Sequence, residues 1–506
     1  MASSRPPSGL LSPTPTMKLI NVTVPQGPAM TDRTRMVTAA VVGISLLLIF
    51  GWQADIPFTL QLRTTVHAST TAPELWLPPE GGPSWKPCVK RKEGDSRPSP
   101  LFQNNGIAYF YLDGGLGQQA WELCHGVVLA KILNMTLILP SLTVDPYWQD
   151  KTTFNDIFNI SHFVATLKDD INMTASTALP VELQAPPPLP ETKWQDFSAI
   201  YKGTPDDYRQ KVLPVAKKAG VVQFVGMFGA LDDDSLSPEE SRLACRAKFQ
   251  ALKFTDPILK LGNDIVERMR QRAGGPFLAL HLRFEEDMLA HSGCMYWGGQ
   301  EEQDRWAEMR KDRSWPAITK PDKELRDIGK CPPTPLEVGM WLKGLGFSRN
   351  TRIYLAAGKM YDEKKAMAPF YQRFPFVYTK DMLATAGERK FMDGRSNVRA
   401  AVDMHVLTQA DVTALTFEGM MGESVQGVRK WNGHKKTIKA PAWGFNRFDN
   451  KTWADYQKQI REWTYLEAGD GGPMRRQDRS WSEELFANPL PDCMCNQPVA
   501  QVKVDG

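Results

Sequence analysis

A strand, a glycine-rich turn, a helix and a second strand follow one another within residues 107–139, and few folds accept that order. Residues 107–112 (IAYFYL) are a compact apolar run that stops at Asp113-Gly114-Gly115-Leu116-Gly117-Gln118. Residues 119–134 then carry Trp121, Cys124, Val128 and Ile132 at helical spacing, and residues 136–139 (TLIL) end at Pro140. Apolar period changing from a short run to a 3.6 repeat and back predicts a βαβ unit of Rossmann type. A second unit follows. Residues 256–272 place Ile258, Leu261, Ile265 and Met269 on one helical stripe, stopped by Gly274-Gly275, and residues 277–283 (FLALHLR) read as a buried strand. Further strands are predicted at residues 351–357, 376–378 and 411–417, between helical stretches. The expectation is an α/β chain with two Rossmann-like halves. Residues 184–191 (QAPPPLPE) form a proline-rich loop within the first half.

Upstream of these halves lies a different kind of segment. Residues 36–52 (MVTAAVVGISLLLIFGW) carry no charge, and the next charged residue is Asp55. At about 1.5 Å per residue such a run comes close to spanning a ~30 Å hydrocarbon core. A cleaved signal peptide starts near residue 1 with a shorter apolar run, whereas a tail of 35 residues precedes this one. An uncleaved anchor is therefore expected. The tail holds Arg5, Lys18, Arg33 and Arg35 against Asp32, so the positive-inside rule puts the N-terminus in the cytosol. Everything after residue 55 is then lumenal, and a short anchor suits the thinner membranes of the early secretory pathway. This predicts a type II, single-pass protein of the Golgi membrane. Four sequons fall on the lumenal side, at Asn134, Asn159, Asn172 and Asn450, and are candidate glycosylation sites.

Net charge is only +4 among 506 residues, so no nucleic-acid partner is indicated. The seven cysteines include no pair-of-pairs spacing of zinc type. In a lumenal domain several of them should pair as disulfides, in a connectivity the spacing leaves open.

The residues that can do chemistry cluster at strand ends. His281-Leu282-Arg283-Phe284-Glu285-Glu286-Asp287 begins where the apolar run 277–283 finishes, and ligands of open α/β sheets sit beyond the carboxyl ends of strands. An arginine there can fork onto a diphosphate while Asp287 handles a base or ribose; the alternative is a structural Arg–Asp surface pair. Gly114, Gly115 and Gln118 stand at a helix N-terminus suited to an anion. The run Asp232-Asp233-Asp234 contains a D-x-D pattern, but among loop formers before Pro238 it reads as a solvated helix-capping run rather than a metal site. His125, on a helix, reads as a packed or capping residue.

Several blocks resemble the plant-type O-fucosyltransferase family, a glycosyltransferase group related to the protein O-fucosyltransferases. They are residues 114–140 (GGLGQQAWELCHGVVLAKILNMTLILP), 147–164, 246–254, 277–294 (FLALHLRFEEDMLAHSGC), 351–361 and 486–495 (FANPLPDCMC). The resemblance implies a GT-B fold, with two Rossmann-like domains facing a cleft behind one transmembrane helix. It implies inversion at the anomeric carbon with no catalytic metal and no cofactor. The donor would be a nucleotide-sugar, GDP-fucose ahead of the UDP-rhamnose of some members. The partners implied are that donor and a glycan or glycoprotein acceptor.

By position, Arg283 resembles the arginine on the donor diphosphate, His281 its neighbour at the nucleotide and Asp287 a nucleotide contact, while Glu418 lies in the donor loop 416–421 (TFEGMM). Candidate general bases are Asp113, Glu285 and Glu286, an N-cap role being the alternative for Asp113. Members usually read GGLNQ where this chain has Gly117, and TYDGNM where it has Met420; Ala120 and Val428 replace an arginine and a histidine. These departures fall at the expected cleft and leave open a donor-binding or scaffolding relative with little turnover. The expected organisation is a cytosolic tail 1–35, an anchor 36–54, a stem 55–100, an N-terminal acceptor-side half 101–270, a C-terminal donor-side half 271–465 and a C-terminal extension 466–506.

Overall fold

The computed structural model describes residues 72–79, 82–100, 104–139, 150, 152–174, 195–433, 435–447, 452–468 and 485–497. The apolar run 36–52 and Asn450 lie outside them. No helix among the described residues is long and apolar enough to cross a membrane.

Two five-stranded sheets organise the chain, each parallel throughout. After β1 (Trp85–Pro87), the first sheet uses β2 (Ile107–Phe110), β3 (Thr136–Ile138), β4 (Met173–Thr174), β5 (Gln195–Ser198) and β6 (Val221–Val225), in the spatial order β4-β3-β2-β6-β5. The second uses β7 (Leu278–His281), β8 (Ile353–Ala356), β9 (Val377–Tyr378), β10 (Val412–Leu415) and β11 (Thr437–Lys439), in the order β11-β10-β7-β8-β9. In each sheet the chain starts at the centre, runs to one edge, and fills the other side later. The switch points are therefore between β2 and β6 and between β7 and β10, where open parallel sheets leave a crevice. β7, β8 and β10 are buried at every position, as expected of strands covered by helices on both faces.

The first helix, α1 (Leu116–Ile132), starts three residues earlier than its periodicity suggests, so Gly117 belongs to the helix and only Gly114 and Gly115 remain in the turn. The helix is buried almost all round, which explains its weak amphipathic signal. Helix α2 (Asp256–Ala273) ends as predicted, at Gly274 with a φ of 64°. Three further helices matter for the site: α3 (Glu286–Ser292), α4 (Ser396–Gln409) and α5 (Met420–Trp431).

Six of the seven cysteines pair, as Cys88–Cys495, Cys245–Cys493 and Cys294–Cys331, leaving Cys124 buried and free. The first ties the segment ending in β12 (Met494–Asn496) to the stretch before the N-terminal half, where β12 also pairs antiparallel with β1, and the second ties it to the N-terminal half itself. The same segment also reaches α5. Gln426 Nε2 donates to the Ala487 carbonyl at 3.2 Å and Lys430 Nζ to Asn488 Oδ1 at 2.9 Å. A Cβ on Gly427 would overlap the Phe486 carbonyl. The C-terminal segment thus holds α5 against the first half.

Candidate active site

The two switch points face each other through α1 and α5. A Cβ placed on Gly117 would stand 2.8 Å from the Met421 backbone nitrogen, so the first turns of the two helices meet backbone to backbone. Gly117 is read from sequence as the loss of an asparagine amide. Its position is instead filled by the partner helix, and no larger residue fits without parting the two turns.

Arg283 follows β7 by two residues. Its backbone N–H donates to Thr416 Oγ1 at 3.1 Å, and the same hydroxyl donates to the His281 carbonyl at 3.0 Å. Thr416, fully buried, therefore fastens the end of β7 to the end of β10. The Arg283 guanidinium extends between two walls. Its Nε lies 3.4 Å from Glu285 Oε2, and a Cβ on Gly419 would overlap its Nη1. Gly419 has a φ of 156°, in the region glycine favours. The arginine's near partner is thus Glu285, and Asp287 makes no surface pair with it.

His281 is buried, and its Nδ1 contacts the Ala356 carbonyl at 3.2 Å. A carbonyl only accepts, so Nδ1 carries the proton and Nε2 is left as an acceptor, buried with no hydrogen-bond partner among the described residues. Burial, and then the Arg283 charge, push the imidazole down to about 4, keeping it neutral at physiological pH. Asp287 lies in the first turn of α3. Its Oδ1 is also buried and unpartnered, and burial followed by the Glu285 charge raise its pKa. A cationic arginine thus lies close enough to act on both a neutral acceptor nitrogen and a carboxyl with a buried, unpartnered oxygen.

The remaining expected residues separate clearly. Glu285 Oε1 accepts the Gly358 N–H at 3.2 Å. Glu286 points to Arg305, 2.6 Å away, on the exposed side. Glu418 pairs with Lys330 at 3.0 Å in the loop before α5. Asp113 is not an N-cap; that position is Gly115, with no side-chain cap. Asp113 Oδ1 accepts from Gln118 Nε2 at 2.6 Å, and its backbone N–H donates to Glu122 Oε2 at 2.9 Å. Gln118 Nε2 also reaches Glu122 Oε1 at 3.0 Å, so the turn is cross-braced by this amide and Gly114 and Gly115 are held beside it.

Sequence reasoning missed Glu122. Burial, and then the Asp113 charge, push its carboxyl up to about 8, so it holds a proton at neutral pH. No stripe marks it, since at helical spacing Glu122 shares its face with Gln118, His125 and Gly126 and not with Trp121, Cys124, Val128 and Ile132. The aspartate run 232–234 is also corrected. Asp233 is buried rather than solvated; Oδ2 accepts the Leu485 N–H at 2.9 Å and Oδ1 lies 3.3 Å from His125 Nε2. It anchors the C-terminal segment, and His125 packs on Phe486 with ring centroids 5.0 Å apart.

Of the sequon asparagines, Asn134 Nδ2 donates to Ser99 Oγ at 3.0 Å and Asn172 Nδ2 to the Ser99 carbonyl at 2.6 Å. Asn159 caps a helix through Oδ1, which accepts the His162 N–H. Among the described residues one cluster has the spacing of metal ligands, Cys294, Asp322 and Cys331, but its two sulfurs are joined in a disulfide.

Comparison with known proteins agrees with the blocks quoted above. The profile of the GDP-fucose protein O-fucosyltransferase family matches residues 107–432. O-fucosyltransferase 6 of Arabidopsis thaliana is 36% identical over 412 residues, 80% of this chain and 70% of its own length. Protein ROOT HAIR SPECIFIC 17 of the same plant is 33% identical over 491 residues, 92% of this chain and 85% of its own. A crystal structure of POFUT1 in complex with GDP-fucose superposes with a TM-score of 0.39 at 14% identity, over 67% of this chain and 99% of its own. On the profile and the sequence relatives, the chain belongs to the GDP-fucose protein O-fucosyltransferase family and is a glycosyltransferase.

Proposed function

We propose that this enzyme transfers fucose from GDP-fucose to a hydroxyl of a glycan or glycoprotein, with inversion and without a catalytic metal. The observation that carries the reading is Arg283, held at the β7/β10 switch point between Glu285 and Gly419. Glycosyl transfer passes through an oxocarbenium-like transition state while negative charge grows on the departing phosphate. A preorganised guanidinium aimed at that charge stabilises it, and losing one such donor costs roughly 10²–10³ in rate. His281 Nε2 and Asp287 Oδ1 are buried polar atoms without partners among the described residues, suited to hydrogen-bond donors of the nucleotide.

In the transfer step the acceptor oxygen bonds to the anomeric carbon as the carbon–oxygen bond to the β-phosphate breaks. The bonding pair leaves with GDP. The hydroxyl proton passes to a carboxylate, and Asp113 suits that role best: Glu286 is turned to Arg305, and Glu285 is engaged by Gly358 and Arg283. Glu122, whose carboxyl is pushed up to about 8 by burial and then by the Asp113 charge, stands directly beside Asp113.

The chain acts, on this reading, as a type II Golgi membrane protein, anchored by residues 36–54 with its two halves lumenal. Support comes from the uncharged run and from three disulfides, which persist in oxidising compartments. A second reading, donor binding with little turnover, draws on the backbone contact of Gly117 with Met420 and Met421.

Thermal shift of the full-length chain with GDP and with UDP tests the donor. A nucleotide at a hundred times its Kd should add about 2.7 kcal/mol. GDP should shift the transition and UDP should not; the reverse result would move the donor to a uridine sugar. Arg283→Ala should abolish transfer at near-normal expression, and activity surviving it would overturn the mechanism. Endoglycosidase treatment of the expressed protein checks topology, since no glycan at any sequon and a cytosol-accessible C-terminus would reverse the orientation.

A further inference from the structure

Three aromatic side chains stand open along one edge of the first sheet. Tyr111 follows β2, Tyr201 follows β5 and Phe228 follows β6, with exposures of 39%, 66% and 44%. Those strands are neighbours in the order β2-β6-β5, so the three rings line the same carboxyl edge that carries Asp113 and the glycine turn. They are placed by backbone bonds. The Tyr111 N–H donates to the Phe224 carbonyl at 2.9 Å, and the Lys202 N–H to the Gly229 carbonyl at 2.7 Å. The Tyr201 ring lies over Gly229, where a Cβ would stand 2.7 Å from it. None of the three rings stacks on another aromatic among the described residues, unlike Phe110, Phe197 and Phe224 beneath them.

Single exposed aromatics need no explanation, but three at the ends of adjacent strands, beside the expected base, form a row. Adjacent strands stand about 4.8 Å apart, which is the scale of one sugar ring. The electron-rich faces of phenol and phenyl rings attract the polarised C–H bonds on a sugar's apolar face. A folded protein acceptor would need an apolar contact on the order of 800 Å² per partner, far more than three half-exposed rings present.

We propose that Tyr111, Phe228 and Tyr201 form a stacking platform for the acceptor, and that the acceptor is a saccharide chain whose hydroxyl is presented to Asp113. This rests on the transferase reading above and names its acceptor class. The row lies on the sheet opposite the one that carries Arg283, so donor and acceptor binding are separable.

Saturation-transfer NMR on the purified full-length chain with GDP tests it, using a panel of galactan, arabinan and rhamnogalacturonan oligosaccharides as probes. Saturation should pass to sugar C–H protons in the natural protein and fall at least tenfold when Tyr111→Ala, Tyr201→Ala and Phe228→Ala are combined. Tyr201→Phe should keep it. The thermal shift by GDP should be unchanged in every variant, which also reports that they fold. No saturation of any oligosaccharide by the natural protein, or saturation that survives the triple substitution, overturns the platform while the GDP shift still stands. Loss of the GDP shift in the natural protein would instead overturn the donor reading on which the platform depends.

Discussion

Gly419 shows how one missing side chain positions a charged one. The Arg283 Nη1 occupies the volume that a Cβ at Gly419 would take. Gly419→Ala should therefore push the guanidinium off its line and slow transfer by about 100-fold, the scale of losing a preorganised donor. Melting temperature should fall only modestly, since alanine at a φ of 156° costs roughly 1–3 kcal/mol of backbone strain while no core contact is lost; steady-state kinetics beside a melting curve would check both. Glu122 supports a second expectation. Its carboxyl titrates at about 8 in the fold against an ordinary 4.5. A carboxyl raised in this way binds its proton more tightly folded than unfolded. Its contribution is full below the unfolded value and is lost as pH rises through the folded one. Wild-type melting temperature should thus fall relative to Glu122→Gln between about pH 5 and pH 8.5, since glutamine mimics the protonated acid at every pH; parallel curves would refute it. At this scale the sequence was unevenly legible. The place of Arg283, two residues past β7, was legible because an apolar run ends there. Glu122 and Thr416 were not, because a buried acid and a buried hydroxyl reveal their partners only once α1 and β10 are packed.

Among elements, α5 carries the most constraint. Its N-terminal turn meets Gly117, and its middle meets the Phe486 carbonyl at Gly427. Gly427→Ala should cost about 1–3 kcal/mol, as overpacking does, and chemical denaturation should register it. Gly117→Asn should part the first turns of α1 and α5, lowering both stability and GDP affinity rather than restoring a lost contact; a gain in either would show that the sequence departure is a defect after all. Strands β2, β3, β7, β8, β9 and β10, with α2, were readable from period and flanking glycines to within about two residues, whereas β4, β5, β6 and β11 were not read. The start of α1 was not, since a helix buried on nearly every side shows no stripe. The π-helix Arg246–Ala251, which sets Lys248 beneath α5 with Nζ 3.0 Å from Ser424 Oγ, left no mark in the sequence either.

For the molecule as a whole, the division into two α/β halves was predictable and their union was not. Nothing in the spacing of seven cysteines showed that Cys493 and Cys495 would reach back to Cys245 and Cys88. Cys245→Ser with Cys493→Ser should cost about 2–5 kcal/mol, and the double variant should melt earlier without a change in the nucleotide it prefers. The carboxylate at Asp233 was misread for the same reason, because its ligand Leu485 lies 252 residues away.

That long-range tether bears on inheritance as much as on folding. A premature stop after residue 484 would spare the codons of Arg283, His281, Asp287 and Gly419. It would nonetheless strip Cys88 and Cys245 of their partners, leave Asp233 without the Leu485 N–H and uncover α5 at Gly427. Such an allele should behave as a null, its product retained and degraded, and a reading frame trimmed at that end for convenience would inherit the same fate.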